Sequence, residues 1–467
     1  MRKKDLFGHP RGLWVLAGTE LWDRISFHGM LAMLVLYMSG DLLKHPERVQ
    51  KILGFAAYRS ALESVTGHLS VLALSMQTFG IYMAAITALP IVGGWIGDCV
   101  TGRRFAVALG ALLMTAGHFC MAFDQTFLLA LLLLVLGAGF LRGNLSAQVK
   151  ALYPPGDRRE TDAYQMYYLA VCVGAFIAPI ATGAVAAVWG WHAGFAVAGF
   201  GMLVGLLVYL LGQSALPAGG VRPSAAKSGP RPRLTAAEKR NIAGLMMIWP
   251  VSVAFWTAQA QIWNVYNVWI RDHIDLQVGR LTVPVPWFQS LDGLAPAAFI
   301  PVALWIWRRQ AKRGREPDQL TKVAIGCLIF GASLVWLALA PMVSNANGRA
   351  PLLWPVMFHI LSNFGAVYVA PVFLALYAGR APNSLRGTML GVNALSQAAA
   401  SLLSGRMGGL YESVSPSTFW LINAAICSGG GVLLLAGSPA LRRWFGAESE
   451  GLDGDALEAV EAEPMPA

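Results

Sequence analysis

Charge is scarce in this sequence. Only 13% of its 467 residues are Asp, Glu, Lys or Arg, where a soluble domain carries about 25%. That shortage excludes an ordinary soluble globule, because 56% hydrophobic residues leave more apolar surface than a globule can cover, whereas a bilayer accepts it. Cysteine is rare as well. Cys99, Cys120, Cys172, Cys327 and Cys427 lie far apart, with neither metal-ligand spacing nor a secreted disulfide framework. They read as packing residues, and neither a metal nor a cofactor is expected. Enzyme signatures are missing too. There is no H-E-x-x-H, no G-x-S-x-G and no H-x4-D, since His118 and Asp124 stand one residue too far apart for the last. A membrane-embedded enzyme is therefore disfavoured.

What the chain does have is length in apolar runs. A span needs about 20 mainly apolar residues, and twelve stretches qualify: 12–38, 69–97, 105–123, 127–149, 163–188, 192–211, 241–269, 285–307, 320–341, 351–378, 386–410 and 417–436. The expected fold is an all-α integral membrane protein of twelve transmembrane helices. Residues 212–239, rich in Pro, Gly, Ala and basic residues, read as a solvated connector between six-span halves at 1–211 and 240–440. The tail, 441–467, turns acidic from Glu448 onward and reads as disordered. Basic Arg2, Lys3 and Lys4 precede an apolar run that Glu20, Asp23 and Arg24 interrupt, so the first stretch reads as a retained span rather than a cleaved signal.

Most of the 35 Lys and Arg residues fall in the loops of one side, together with both termini. That side is expected to be cytoplasmic, in a cytoplasmic membrane. The same bias accounts for the net charge of +10 without a nucleic-acid partner. Two halves joined by a basic connector resemble a major facilitator type of transporter, whose halves rock about a central site. The loop after the second stretch agrees. Gly94, Asp98, Gly102, Arg103 and Arg104 stand as G-x-x-x-D-x-x-x-G-R-R, a spacing in which glycines let helices approach and arginines satisfy carbonyls or acids at a gate.

An ionisable residue inside a span is costly unless paired or facing water, which makes it a site candidate. The first stretch holds Glu20, Asp23 and Arg24, at i, i+3 and i+4 on one helical face. Arg142 lies in the fourth stretch and Asp292 in the eighth. Two acids beside one arginine leave excess negative charge in a poorly hydrated place, and burial and like-charge repulsion both favour a protonated acid. One of Glu20 or Asp23 is expected to exchange a proton. His28, one turn beyond Arg24, is a cavity candidate; His118 and His359 read as isolated packing residues, and Arg406 as a snorkelling side chain.

The segment Glu20-Leu-Trp-Asp23-Arg24-Ile-Ser-Phe27-His28-Gly29-Met30 resembles the E-x-x-E-R-F-x-Y-Y-G-M signature of the proton-dependent oligopeptide transporter family. Asp162-Ala163 with Tyr168 to Phe176, Pro286 to Leu291, Ala370-Pro371 through Ala381-Pro382, and Arg386-Gly387 resemble further segments of that family. The resemblance implies that Glu20, Asp23 and Arg24 bind the coupling proton. It also implies that Arg142, standing where the family has lysine, receives a substrate carboxylate, and that a polar cavity clamps both ends of a peptide. Departures cluster in the clamp. Leu31, Thr87, Cys172, Asp292, Ala366 and Asn393 stand where the family has arginine, tyrosine, asparagine, asparagine, glutamate and tryptophan, which puts ordinary di- and tripeptides in question.

The resulting expectation is a proton-coupled symporter importing a peptide-like or amino-acid-derived solute that bears a carboxylate, an amine or both. A proton-linked exporter of drugs or metabolites with the same fold is the alternative. Arg142 offers a fork of donors to two oxygens. Asp292, gaining the acid that Ala366 lacks, is expected to take a cationic end or to pair with Arg142 across the halves. Thr87, Gln289 and Asn393 are expected to line the cavity.

Overall fold

A computed structural model describes residues 5–154, 157–217 and 234–445. Short strands β1 (Asp5–Leu6) and β2 (His9–Pro10) form an antiparallel hairpin before the first helix. The helices follow as α1 (Arg11–Gly40), α2 (Pro46–Val49), α3 (Phe55–Thr66), α4 (Val71–Ile96), α5 (Arg103–Cys120), α6 (Phe127–Lys150), α7 (Arg159–Trp189) and α8 (Trp191–Gly212). Beyond the connector come α9 (Ala236–Ala260), α10 (Val265–His273), a second hairpin of β3 (Gln277–Val278) and β4 (Leu281–Thr282), and α11 (Ser290–Ala311). The chain closes with α12 (Gln319–Ala338), α13 (Leu353–Arg380), α14 (Arg386–Tyr411) and α15 (Pro416–Phe445).

At 1.5 Å per residue, the 30 residues of α1 rise well beyond the roughly 30 Å of a hydrocarbon core. Ten helical segments among the described residues are long and apolar enough to cross a membrane. The sequence reading counted twelve stretches. The other two, α5 and α14, fall short in apolarity because Arg103, Arg104 and His118 dilute the first, and Arg386, Arg406 and several Gly and Ser residues dilute the second.

Three further differences from the sequence reading have physical causes. The stretch 241–269 is not one helix: it breaks at the turn Gln261–Trp263 and restarts as α10. The loop after α1 carries α3, an amphipathic helix with too few apolar residues to register as a span. Glu63 closes its end by accepting from the Leu69 amide and from Arg59, which together hold its carboxyl below the usual carboxylate range. Finally, α15 continues to Phe445, so residues 441–445 are helical, with Leu441 and Phe445 buried; the rest of the expected tail lies outside the described residues.

Helix α1 sits in the middle of its neighbours, packed by α7 and α8 and also touching α4 and α6. Close approach depends on glycine at a few crossings. On α4, a Cβ at Gly93 would collide with the carbonyl of Gly139 on α6. Another at Gly80 would sit 2.5 Å from the Ser401 carbonyl oxygen and 2.8 Å from Gly405 Cα on α14. Small residues allow backbones to touch where lipid provides no hydrophobic drive for association. The contacts α4 with α14 and α7 with α11 join the first eight helices to the later ones. At the end of the bundle holding the α1–α4 loop, Asp124 accepts from Tyr37 (2.5 Å), Arg48 (2.6 Å) and His192 (3.0 Å), tying the α5–α6 turn to α1, α2 and α8.

Overpacking a tight crossing costs about 1–3 kcal/mol. Gly93→Leu is therefore expected to lower the thermal unfolding midpoint of the purified protein by several degrees. Gly429→Leu, where an added Cβ meets nothing within 4 Å, is expected to leave it unchanged.

Candidate functional site

The helical spacing of α1 places Glu20, Asp23, Arg24, Phe27 and His28 toward one side. Glu20 and Asp23 are 1% and 0% exposed, so protein encloses both acids and neither faces the outside of the bundle. Arg24 Nε donates to Glu20 Oε1 at 2.7 Å and lies 3.8 Å from Asp23 Oδ2. The other oxygen of Glu20 accepts a short hydrogen bond from the Tyr167 hydroxyl on α7. That helix comes close enough because residue 174 is glycine: a Cβ there would lie 2.6 Å from Arg24 Cβ and 2.8 Å from the Leu21 carbonyl oxygen.

Arg142 reaches in from α6. Its Nε stands 3.4 Å from Asp23 Oδ2, and its guanidinium lies over the Phe27 ring, 3.9 Å from the centroid, a favourable cation–π arrangement. Two carboxylates thus face two guanidinium groups. The sequence argument counted a single arginine against both acids; α6 supplies the second and the cluster balances. The balance is incompletely bonded, however. Both oxygens of Asp23, and Nε and Nη2 of Arg142, are buried without a hydrogen-bond partner. An ion pair at 3.4 Å without hydrogen bonds holds its arginine more loosely than a fork of short bonds, which leaves donors free for another anion.

His28 donates from Nδ1 to the Arg24 carbonyl oxygen at 3.1 Å, and its ring faces that of Trp263 at 5.6 Å between centroids. Trp263 in turn lines a small cavity of about 70 Å³ between α4, α9 and α14, together with Met83, Thr87, Trp256, Gln259 and Gln397. Thr87 is thus at the cavity, its hydroxyl bonded to the Met83 carbonyl oxygen. Asn393 is not among the lining residues: it is 8% exposed and lies one turn before Gln397 on α14.

Gln289 has a different place from the one expected. It is fully buried, and its amide donates to the Ile262 carbonyl oxygen at 2.8 Å and to Asn267 Oδ1 at 2.6 Å. A helix interrupted at depth leaves carbonyls without partners, and Gln289 satisfies one at the break between α9 and α10. Asp292 does not pair with Arg142. Its Oδ1 accepts from His359 Nδ1 and from Asn363 Nδ2, each at 2.8 Å, so its partners lie on α13.

The loop motif after α4 forms a compact unit. Asp98 accepts from Arg103 Nε at 2.5 Å, and Arg103 Nη1 donates to the Ala147 carbonyl oxygen at 3.3 Å on α6. Arg104 donates to the Leu216 carbonyl oxygen beyond α8. Gly102, at φ +79°, makes the left-handed turn into α5, and Gly94 lies against Gly143. Among the described residues no cluster of three or more His, Cys, Asp or Glu side chains is placed to hold a metal.

Two partners in these clusters went unread in the sequence. Tyr167 is one residue from the segment singled out on α7, and His359 reads as isolated in the sequence. Both act across helices distant in sequence, and no local spacing announces such a pairing.

Comparisons with known proteins agree with this architecture. The family model PTR2, described as the POT family, matches residues 104–228 and 224–421. An uncharacterized transporter of Bacillus subtilis, YclF, is 27% identical over 94% of this chain and 96% of its own length. The peptide transporter YePEPT of Yersinia enterocolitica is 26% identical over the same shares. A crystal structure of the peptide transporter POT in complex with sulfate superposes with a TM-score of 0.83 at 25% identity, over 95% of this chain and 97% of that one. A mutant of a peptide transporter POT in complex with alafosfalin gives 0.82 at 26% identity. The chain is accordingly a multi-pass membrane transporter rather than an enzyme, and it belongs to the POT family.

Proposed function

We propose that the protein is a proton-coupled symporter that imports a small peptide or peptide-like, amino-acid-derived solute across the cytoplasmic membrane by alternating access. In this reading α5 and α14 span the membrane with the ten more apolar segments. The resulting twelve helices form halves at residues 1–211 and 240–440, joined by a cytoplasmic connector at 212–239, with both termini cytoplasmic. Peptide-transporting relatives and a neighbour that binds alafosfalin support the class of cargo.

The observation that carries the reading is the charge balance around α1. With both acids ionised, Glu20 and Asp23 neutralise Arg24 and Arg142. Adding one proton to either acid leaves one guanidinium charge uncompensated in a place where bare charge is costly. A substrate carboxylate at Arg142 restores neutrality, so proton and anionic solute enter favourably together and unfavourably apart. Arg142 is suited to this because its pairing to Asp23 is loose and its free donors fork toward two oxygens. His28 and Trp263 connect this cluster to the cavity that Thr87 lines, and Asp292 receives a cationic end. The Asp98–Arg103 unit serves as a gate on the cytoplasmic side. Halves held together at Gly80 and Gly405, toward the start of α4 and the end of α14, suit a carrier closed on its outer side.

In proteoliposomes, dialanine and alafosfalin are the first solutes to test. Accumulation is expected only under an inwardly directed proton gradient, and uptake indifferent to the gradient contradicts the proposal. Glu20→Gln is expected to lose gradient-driven accumulation while keeping counterflow. Removing one member of a buried ion pair costs about 3–5 kcal/mol, so Asp23→Asn is expected to lower the thermal midpoint markedly. The double variant Asp23→Asn/Arg142→Gln recovers part of that loss if the two charges hold each other.

A further inference from the structure

The first coupling cluster balances its charges; the acid on α11 does not. Asp292 is the third residue of α11, and its side chain is 15% exposed. Oδ1 accepts from His359 Nδ1 and from Asn363 Nδ2, while Oδ2 is buried without a partner. His359, on α13, is 1% exposed, and its Nε2 is likewise buried without a partner. Neither Arg nor Lys is ion-paired with Asp292 among the described residues. The rings of Tyr266 and Phe358 lie against the imidazole edge-on, each at 5.4 Å between centroids.

An ionised carboxylate in such surroundings beside a neutral imidazole carries an uncompensated charge, which burial strongly disfavours. The helix N-terminus and one amide offset part of it. One proton removes it. We propose that Asp292 and His359 form a second proton-binding site, loaded as an imidazolium–carboxylate pair on α11 and α13 and independent of the acids on α1. Either placement leaves one buried donor without an acceptor, on Nε2 or on Oδ2; the imidazole holds the proton because it is intrinsically the stronger base of the two and Oδ1 already accepts from two donors.

Other charged or titratable groups on the helices packed against the pair leave this balance intact. From α10, Tyr266 contributes a phenol, while at the end of that helix Arg271 is paired with Asp272 and His273 donates to the Trp269 carbonyl oxygen; the charges of α9, Glu238, Lys239 and Arg240, lie in its first turns. Helix α7 meets α11 where Gly293 lies on the Phe176 backbone, and Cys172 one turn away is engaged with Tyr168. On α12, Lys322 is at the far end and bonded to Glu316 at 2.5 Å. On α14, Arg386, Arg406 and Tyr411 lie at or near the ends. Oδ2 is also where the transporter reading places a solute ammonium group, so arrival of that cation and loss of the proton are alternatives. The use of the site in transport rests on that reading, whereas its protonation is measured without transport.

Solid-state nitrogen NMR of the full chain in liposomes, with isotope-labelled histidine and no solute, tests the site. The His359 signals are identified by their loss in His359→Gln, and by their change in Asp292→Asn, which keeps the ring in place. At neutral pH both ring nitrogens of His359 are expected to carry protons in the unaltered protein. In Asp292→Asn the ring is expected to become neutral with one N–H, and in Glu20→Gln to remain doubly protonated. A neutral His359 in the unaltered protein, or an imidazolium that survives Asp292→Asn, overturns the proposal. An imidazolium lost in Glu20→Gln overturns its independence from α1.

Discussion

Four charges buried in one place constrain the whole first part of this molecule. Glu20 and Asp23 are enclosed within a protein surrounded by lipid, and among the described residues their charges are compensated by Arg24 on the same helix and Arg142 on α6. Remove either arginine from the neighbourhood and an uncompensated acid remains, at a cost that a packed helix bundle does not readily absorb. Helix α6 must therefore stay within ion-pair distance of α1, and α7 must lie close enough for Tyr167 to reach Glu20. Gly174 makes the approach of α7 to α1 sterically feasible, while Gly93 and Gly139 let α6 lie against α4. Packing and electrostatics here specify the same arrangement.

The later helices answer a different need. A break between α9 and α10 leaves backbone carbonyls at depth, and Gln289 takes one of them while Asn264 donates to the Met76 carbonyl oxygen at 3.4 Å on α4. Polar side chains that look like cavity lining in a linear reading thus act as substitutes for missing helical hydrogen bonds. Asp292 differs, since it satisfies no backbone group and joins an imidazole and an amide instead. That difference separates a side chain that meets only other side chains from those that stand in for missing helical hydrogen bonds.

Much of this was legible in the sequence, for stated physical reasons. Apolar runs long enough to cross a bilayer can be counted directly, and Glu20, Asp23 and Arg24 stand out because charge is costly there. The loop motif was equally readable: Asp98 and Arg103 are close in the chain and pair in space. Two kinds of information were not local. The length of apolar run does not reveal where a helix breaks, so 241–269 read as one element. Nor does spacing along α1 reveal what a distant helix supplies, so Tyr167 and the pairing of Asp292 with His359 were missed. Arg142 stands out as an oddity within its span, and of the two partners its charge allows, the acids of α1 or Asp292, the structure pairs it with Asp23.

The central claim is that proton and solute move together because the cluster around Glu20 tolerates only a balanced charge. Its most direct measurement is the proton flux itself: proteoliposomes enclosing a pH-sensitive dye, with no imposed gradient, given dialanine or alafosfalin outside. The account predicts acidification of the interior that follows solute entry and disappears in Glu20→Gln. Solute entry with no accompanying change in internal pH would contradict it.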